Sequence, residues 1–125
     1  EDYDFLIVDF HGEITSEKNA IGHFFDGQAT LVVGTHTHIP TNDARILKNG
    51  TAYQTDAGMC GDYDSVIGMK KSLSIQKFTN KFLKSRLETA SGEGTLCGAL
   101  IEINNETKII SGFNQVIIGG KLNPN

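Results

Sequence analysis

His36 and His38 stand two apart, just after the apolar run Thr30-Leu31-Val32-Val33 and Gly34-Thr35. In an extended backbone that spacing puts both imidazoles on one face. Neutral imidazole is the commonest protein metal ligand near neutral pH. A third histidine, His11, follows another apolar run, Phe5-Leu6-Ile7-Val8, after the intervening Asp9-Phe10. Two parallel strands ending side by side would bring the three imidazoles to one sheet edge as part of a metal site. Each histidine taken alone is equally consistent with a solvated or core-satisfied side chain. Three neutral nitrogens with water in the open position would suffice for one zinc site. A dinuclear hydrolytic site also needs bridging carboxylates. The carboxylates nearby in sequence are Asp9, Glu13 and Asp56, and none has an obvious bridging position.

The elements that must position these residues are legible from pattern. Residues 4–9 read as a first strand, in which Phe5, Leu6, Ile7 and Val8 are continuously apolar as if covered on both faces. Ser16 is placed as N-cap of a helix over 17–26, with Glu17 favouring its N-terminal dipole. Ile21, Phe24 and Phe25 supply its apolar stripe, His23 lies on the wet side, and Gly27 suits the C-terminal stop. A second strand over 30–34 completes a βαβ unit, whose crossover is right-handed. Asn49-Gly50 between residues 45–48 and 51–55 marks a hairpin. Residues 56–68 hold three glycines and three aspartates without period and read as an irregular loop, of a length that suits a functional loop, a disordered segment or a plain surface connection. A second helix is expected over 72–84, capped by Ser72. Ile75, Phe78 and Phe82 form its apolar face, and lysines 77, 81 and 84 its wet one. Strands are expected over 86–90, 95–103, 107–111 and 116–118.

The chain has 125 residues, 38% hydrophobic and 21% charged, which suits one soluble domain with a real core. A net charge of −4 argues against grip on a long nucleic-acid backbone, though not against a single nucleotide at a metal centre. No apolar run approaches the ~18 residues of a membrane span. Cys60 and Cys97 form no C-x-x-C motif and read as reduced thiols of a cytoplasmic protein. Residue 1 is Glu and a core-type strand opens almost at once, as in a processed domain or the tail half of a longer protein.

Three ordered blocks carry a resemblance. Asp9-Phe10-His11-Gly12-Glu13-Ile14-Thr15-Ser16-Glu17-Lys18 resembles the DFHAEATSEK block of the bacterial YmdB-like family, within the calcineurin-like metallophosphoesterases. Val33-Gly34-Thr35-His36-Thr37-His38 is similar to its VGTHTH block. Thr51 to Gly61 and Asp64-Ser65-Val66-Ile67-Gly68 are similar to its GTAYITDVGMTG…DSVIG block, with Cys60 where the family more often has Thr. The resemblance covers nearly the whole chain, most strongly residues 4–69.

It implies an α/β fold: the C-terminal part of a four-layer α/β/β/α sandwich, a βαβ unit followed by mainly antiparallel strands, forming one incomplete domain. It implies a phosphodiesterase acting on small phosphodiesters such as 2′,3′-cyclic nucleotides, with two metal ions bearing the charge of in-line attack at phosphorus. Metal ligation falls to His11, His36 and His38. Substrate binding falls to Thr37 and the glycine-rich Gly58, Met59, Cys60 and Gly61. The family's leading Asp, a Glu-Asn pair, an Asn-His pair and the general acid belong to a first half that these residues do not include, so no catalytic residue is assigned. Two divalent ions (manganese, iron or zinc) are expected in the complete protein and one or none here. Self-association through strand edges is expected of this part alone. A half-domain that binds metal or phosphate without catalysis is the alternative reading, and a purely structural α/β fragment a third.

Overall fold

The computed structural model describes residues 3–80, 82 and 86–122. They divide into two units, residues 3–58 with 98–116 and the described residues of 59–97 with 117–122.

In the first unit, β1 (Ile7–His11), β2 (Leu31–Thr35), β3 (Arg45–Ile46) and β4 (Ala52–Gln54) form a sheet of order β1-β2-β4-β3. β1 pairs parallel with β2, in a register that sets Ile7 against Leu31 and His11 against Thr35. β4 pairs parallel with β2 and antiparallel with β3. The Asn49–Gly50 hairpin forms as expected: Leu47 N donates to Thr51 O at 2.8 Å, and Gly50 takes a φ of 102°. The Asp26 carboxylate accepts from the Asn49 and Thr51 amides and anchors the turn to the end of the preceding helix.

That helix, α1 (Thr15–Phe24), lies on one face of the sheet. Ala29, Val32, Leu47 and Tyr53 are buried there, with Leu6, Val8, Ile21 and Phe25 packed against them. Each large side chain closed off this way contributes roughly 1.5–3 kcal/mol. The other face is covered by parts of β6 (Gly94–Ile103) and β7 (Ile110–Ile118) lying within this unit: Leu31, Ala52 and Ile110 are buried with Val33, Ile101, Ile103 and Phe113.

Several expectations are corrected. β1 begins three residues later than expected and reaches His11, because the hydrogen-bond ladder with β2 runs beyond the apolar run. It is covered on one face only. Ile7 stays 64% exposed although its register partner Leu31 is buried, since β1 is the sheet edge and the apolar cluster of that face involves β2 and β4. α1 starts at Thr15 with Ile14 as N-cap and no side-chain cap, so Ser16 lies within its first turn. Its buried positions are Lys18 and Gly22, while Phe24 is exposed. The inward face is thus rotated toward 18, 21, 22 and 25. Gly22 permits this, for a Cβ there would stand 2.4 Å from the Tyr53 ring.

Asp43 ties the loop after β2 to the end of β4. Its carboxylate accepts from Thr41 Oγ1 at 2.6 Å, Thr55 N at 3.1 Å and Thr55 Oγ1 at 2.5 Å, with Arg45 at 3.1 Å. Burial raises its pKa, but the Thr41, Thr55 and Arg45 hydrogen bonds outweigh burial and hold it below the ordinary carboxylate value. A carboxylate lowered in the folded state stabilises above its unfolded pKa of about 3.9, and that contribution is lost as pH falls through the folded value. The melting temperature should therefore drop on acidification below about pH 4. Asp43→Asn should start lower at pH 7 and show a shallower acid slope. Parallel slopes would remove Asp43 from the acid response.

In the second unit, β5 (Gly61–Asp62) pairs antiparallel with β6, Gly61 against Thr95. α2 (Lys71–Thr79) has Lys70 as N-cap rather than Ser72. α2 stops at Thr79, where Asn80 is an extended C-cap, short of the end expected at residue 84; Lys81 and Lys84 lie outside the described residues. Ile75, Phe78 and Phe82 are 55%, 87% and 91% exposed, so the expected apolar face is turned outward and Ser74 is the buried position. Residues 86–90 make no strand, only a bridge from Thr89 to Met69 flanked by Lys70 N to Glu88 O and Ala90 N to Gly68 O. The separate strands expected at 107–111 and 116–118 are one continuous β7. Among the described residues no helix is long and apolar enough to cross a membrane.

Candidate functional site

β1 and β2 run parallel and end together, so His11 and the first residues beyond Thr35 meet at one sheet edge. His11 Nε2 and His36 Nδ1 stand 3.1 Å apart, the rings edge to face with centroids 5.0 Å apart. The other nitrogen of His11, Nδ1, lies 3.0 Å from Thr35 Oγ1, and that hydroxyl reaches Asp9 Oδ1 at 3.4 Å. With the hydroxyl proton directed to Asp9, Thr35 accepts from His11 Nδ1–H. The Nε2 lone pair of His11 then faces His36. A carboxylate and hydroxyl behind an imidazole are the usual means of fixing its tautomer and ring plane.

The strand stops at Thr35, so the extended geometry behind the His-x-His reading does not hold beyond it. His36 has φ 131° and His38 φ 66°, both on the positive side that L-residues avoid. The structure brings His11 and His36 together. Among the described residues no group of three or more His, Cys, Asp or Glu is arranged to hold an ion.

Beneath this edge lies a feature that strand and helix patterning does not show. Lys18 Nζ and Asp56 Oδ2 form an ion pair at 3.0 Å, both side chains 1% exposed. Lys18 Nζ also donates to Thr35 O at 3.1 Å. Asp56 Oδ2 accepts from Thr37 N at 2.8 Å, and Asp56 Oδ1 from Gly58 N at 2.9 Å. Burial raises the Asp56 pKa, but the Thr37 and Gly58 amides and the Lys18 ammonium outweigh it, leaving the carboxyl below its ordinary value. Asp56 is therefore fully engaged inside the fold, while Asp9 and Glu13 are exposed. The available signal was Lys18 itself: a charged residue three and four positions before Ile21 and Gly22 falls on the inward stripe of α1 and requires an acid partner.

Gly34 brings the strands close enough for this arrangement. Ala57 N donates to Gly34 O at 2.9 Å, and a Cβ on Gly34 would fall 1.8 Å from Thr55 O. The Thr37 hydroxyl donates to Ile39 O at 3.0 Å and accepts from Ile39 N at 3.2 Å. Met59, Cys60 and Gly61 belong to the second unit. There Cys60 Sγ donates to Cys97 O at 3.3 Å, and Tyr63 OH donates to Met59 O and accepts from Met59 N, both at 3.0 Å. Burial pushes the Tyr63 phenol upward, and its hydrogen bond with Cys97 pushes it further. Both cysteines are free.

The family model described as YmdB-like protein matches residues 1–116. The chain is 46% identical over 114 residues to a 2′,3′-cyclic-nucleotide 2′-phosphodiesterase of Bacillus subtilis, an alignment covering 91% of this chain and 43% of that protein. Its fold matches the crystal structure of a hypothetical protein from Thermus thermophilus with a TM-score of 0.87 and 35% identity, covering 97% of this chain and 47% of the other. It matches a structure described as a novel phosphatase from Mycoplasma pneumoniae with a TM-score of 0.86 and 42% identity, covering 95% and 42%. The chain thus spans less than half the length of the relatives it matches. Sequence blocks, family model and shared fold agree: this chain belongs to the YmdB-like family.

Proposed function

We propose that this chain carries the histidine side of the active site of a metal-dependent phosphodiesterase acting on small phosphodiesters such as 2′,3′-cyclic nucleotides. The family membership and the name of the Bacillus subtilis relative support the reaction class. The observation that carries the metal reading is the facing pair His11 Nε2 and His36 Nδ1 at 3.1 Å, with His11 fixed from behind by Thr35. Two nitrogens at that separation can each lie about 2.0–2.1 Å from one ion. The pair fits part of a coordination sphere, and His38 is the third imidazole in this reading. In the larger fold the two faces described above belong to a four-layer α/β/β/α sandwich, with this chain as part of a single domain.

A divalent ion there supplies Lewis-acid stabilisation of charge on phosphoryl oxygens and a more acidic water. The chain's own residues orient it. Asp9 and Thr35 hold the His11 tautomer, and His36 presents Nδ1 to the same point. Thr37 and Gly58 lie on the substrate side of this reading, but their amides are taken by Asp56, so neither amide is free to cradle a phosphate. Two divalent ions beside neutral imidazoles would leave their charge uncompensated at several kcal/mol per ion, so this chain alone should hold one ion weakly and turn over substrate poorly.

Two measurements test the reading. Calorimetric titration of the chain with Mn²⁺ should show binding that falls about tenfold or more in His11→Ala and in His36→Ala. The chain should also replace the matching 114-residue segment of the Bacillus subtilis relative in a chimera that hydrolyses 2′,3′-cyclic AMP. His36→Ala in that chimera should lose at least ~10²-fold in kcat/KM. Mn²⁺ binding with an inactive chimera would favour the non-catalytic metal-binding reading. Absence of Mn²⁺ binding by both chain and chimera would overturn the metal assignment.

A further inference from the structure

We propose that the buried Lys18–Asp56 pair is a positioning device for His36. It clamps the peptide units on either side of that residue and so holds the imidazole against His11. The identification of His36 as a metal ligand rests on the function proposed above; the clamp itself rests on geometry alone.

A buried ion pair is a weak source of net stability. Both ions are desolvated, and well-packed apolar residues of similar volume often serve the fold as well or better. The other bonds these two side chains make are therefore informative. Lys18 Nζ holds the carbonyl of Thr35, the residue before His36, at 3.1 Å. Asp56 Oδ2 holds the amide of Thr37, the residue after it, at 2.8 Å. Those two bonds fix both ends of the His36 backbone, and the pair joins them at 3.0 Å.

His36 needs such a hold. A φ of 131° on a residue with a Cβ is sparsely populated and persists only where its surroundings over-determine it. His36 is exposed, so packing of its own side chain does not supply the restraint. The anchors are themselves secured: Asp56 Oδ1 by Gly58 N at 2.9 Å, and the Asp56 amide by Thr41 Oγ1 at 2.9 Å. The clamp is built from α1 and the segment after β4, elements that fold for other reasons. It converts their rigidity into a defined position for one ring nitrogen.

A purely structural pair and a positioning pair make different predictions for the double substitution Lys18→Met/Asp56→Leu, which removes both charges together. The apolar replacement avoids the unpaired charge and should keep the chain folded, with a melting temperature above that of Asp56→Leu but lowered by the Thr37 and Gly58 amides it leaves without their acceptor. If the pair positions His36, the folded double variant should still lose Mn²⁺ affinity by about 10–100-fold. Its His36 ¹³Cα shift should move toward that of an ordinary negative-φ residue, and the Thr37 amide should exchange with solvent at least ~10-fold faster. A folded double variant with unchanged His36 shift and unchanged Thr37 exchange would overturn the proposal. Should it fail to fold, the unsubstituted chain decides: the clamp requires Thr37 N–H to be protected well beyond the other exposed amides of its loop. Exchange at the rate of those neighbours would overturn it. Failure of the parent chain to bind Mn²⁺ would count against His36 as a ligand and leave the shift and exchange readouts to judge the clamp.

Discussion

Asp56→Leu alone is expected to destabilise the chain by about 3–5 kcal/mol, the cost of leaving one charge of a buried pair without its partner. The Lys18 ammonium is 1% exposed and would keep only the Thr35 carbonyl. The amides of Thr37 and Gly58 would lose their acceptor in the same step. Against a typical domain stability of 5–15 kcal/mol this leaves a marginal protein or an unfolded one. Urea denaturation measures it directly, and the midpoint should shift strongly to lower urea. A shift within about 0.5 kcal/mol would mean that water reaches Lys18 and takes the place of the carboxylate.

Gly34→Ala is the second substitution with a large expected cost, about 3 kcal/mol or more. The new methyl would stand 1.8 Å from Thr55 O and 2.7 Å from Lys18 Cδ. A flexible side-chain end could yield, but the first neighbour is backbone at the end of β4. Moving it breaks the bond from Ala57 N to Gly34 O and drags Asp56 with it. Gly98→Ala is the matched control, because nothing lies within 4 Å of a Cβ there. It should stay within about 0.5 kcal/mol of the parent in the same urea titration. Equal losses at 34 and 98 would mean that close approach at Gly34 is not what sets its cost.

The local parts of the fold were readable because their causes are local. Asn49-Gly50 makes the hairpin turn whatever surrounds it, and the two apolar runs flanking α1 make a parallel pair. The facing of His11 and His36 follows from those two strands ending together. What resisted reading depends on distant partners. Lys18 falls on the inward stripe of α1, but the acid it requires, Asp56, lies 38 positions away and no local pattern points to it. Phe24 matches the apolar stripe of α1, yet the helix is turned so that Gly22 can meet Tyr53. The outward face of α2 has the right period, but period says only that residues share a face, not that anything covers it. The positive φ values at 36 and 38 carry no compositional mark, since neither residue is glycine. The likeness of residues 33–38 to a known block gave histidine positions without the backbone that presents them.

The backbone at His36 sets two kinds of selection against each other. Glycine adopts a φ of 131° at no steric cost, whereas histidine there carries roughly 1–3 kcal/mol of conformational strain. A library randomised at codon 36 and sorted for heat resistance alone should enrich glycine and discard histidine. The same library sorted for Mn²⁺ capture should do the reverse. Histidine at this codon is then a mark of selection for binding acting against selection for stability, and sequencing the two pools would record both pressures at a single position.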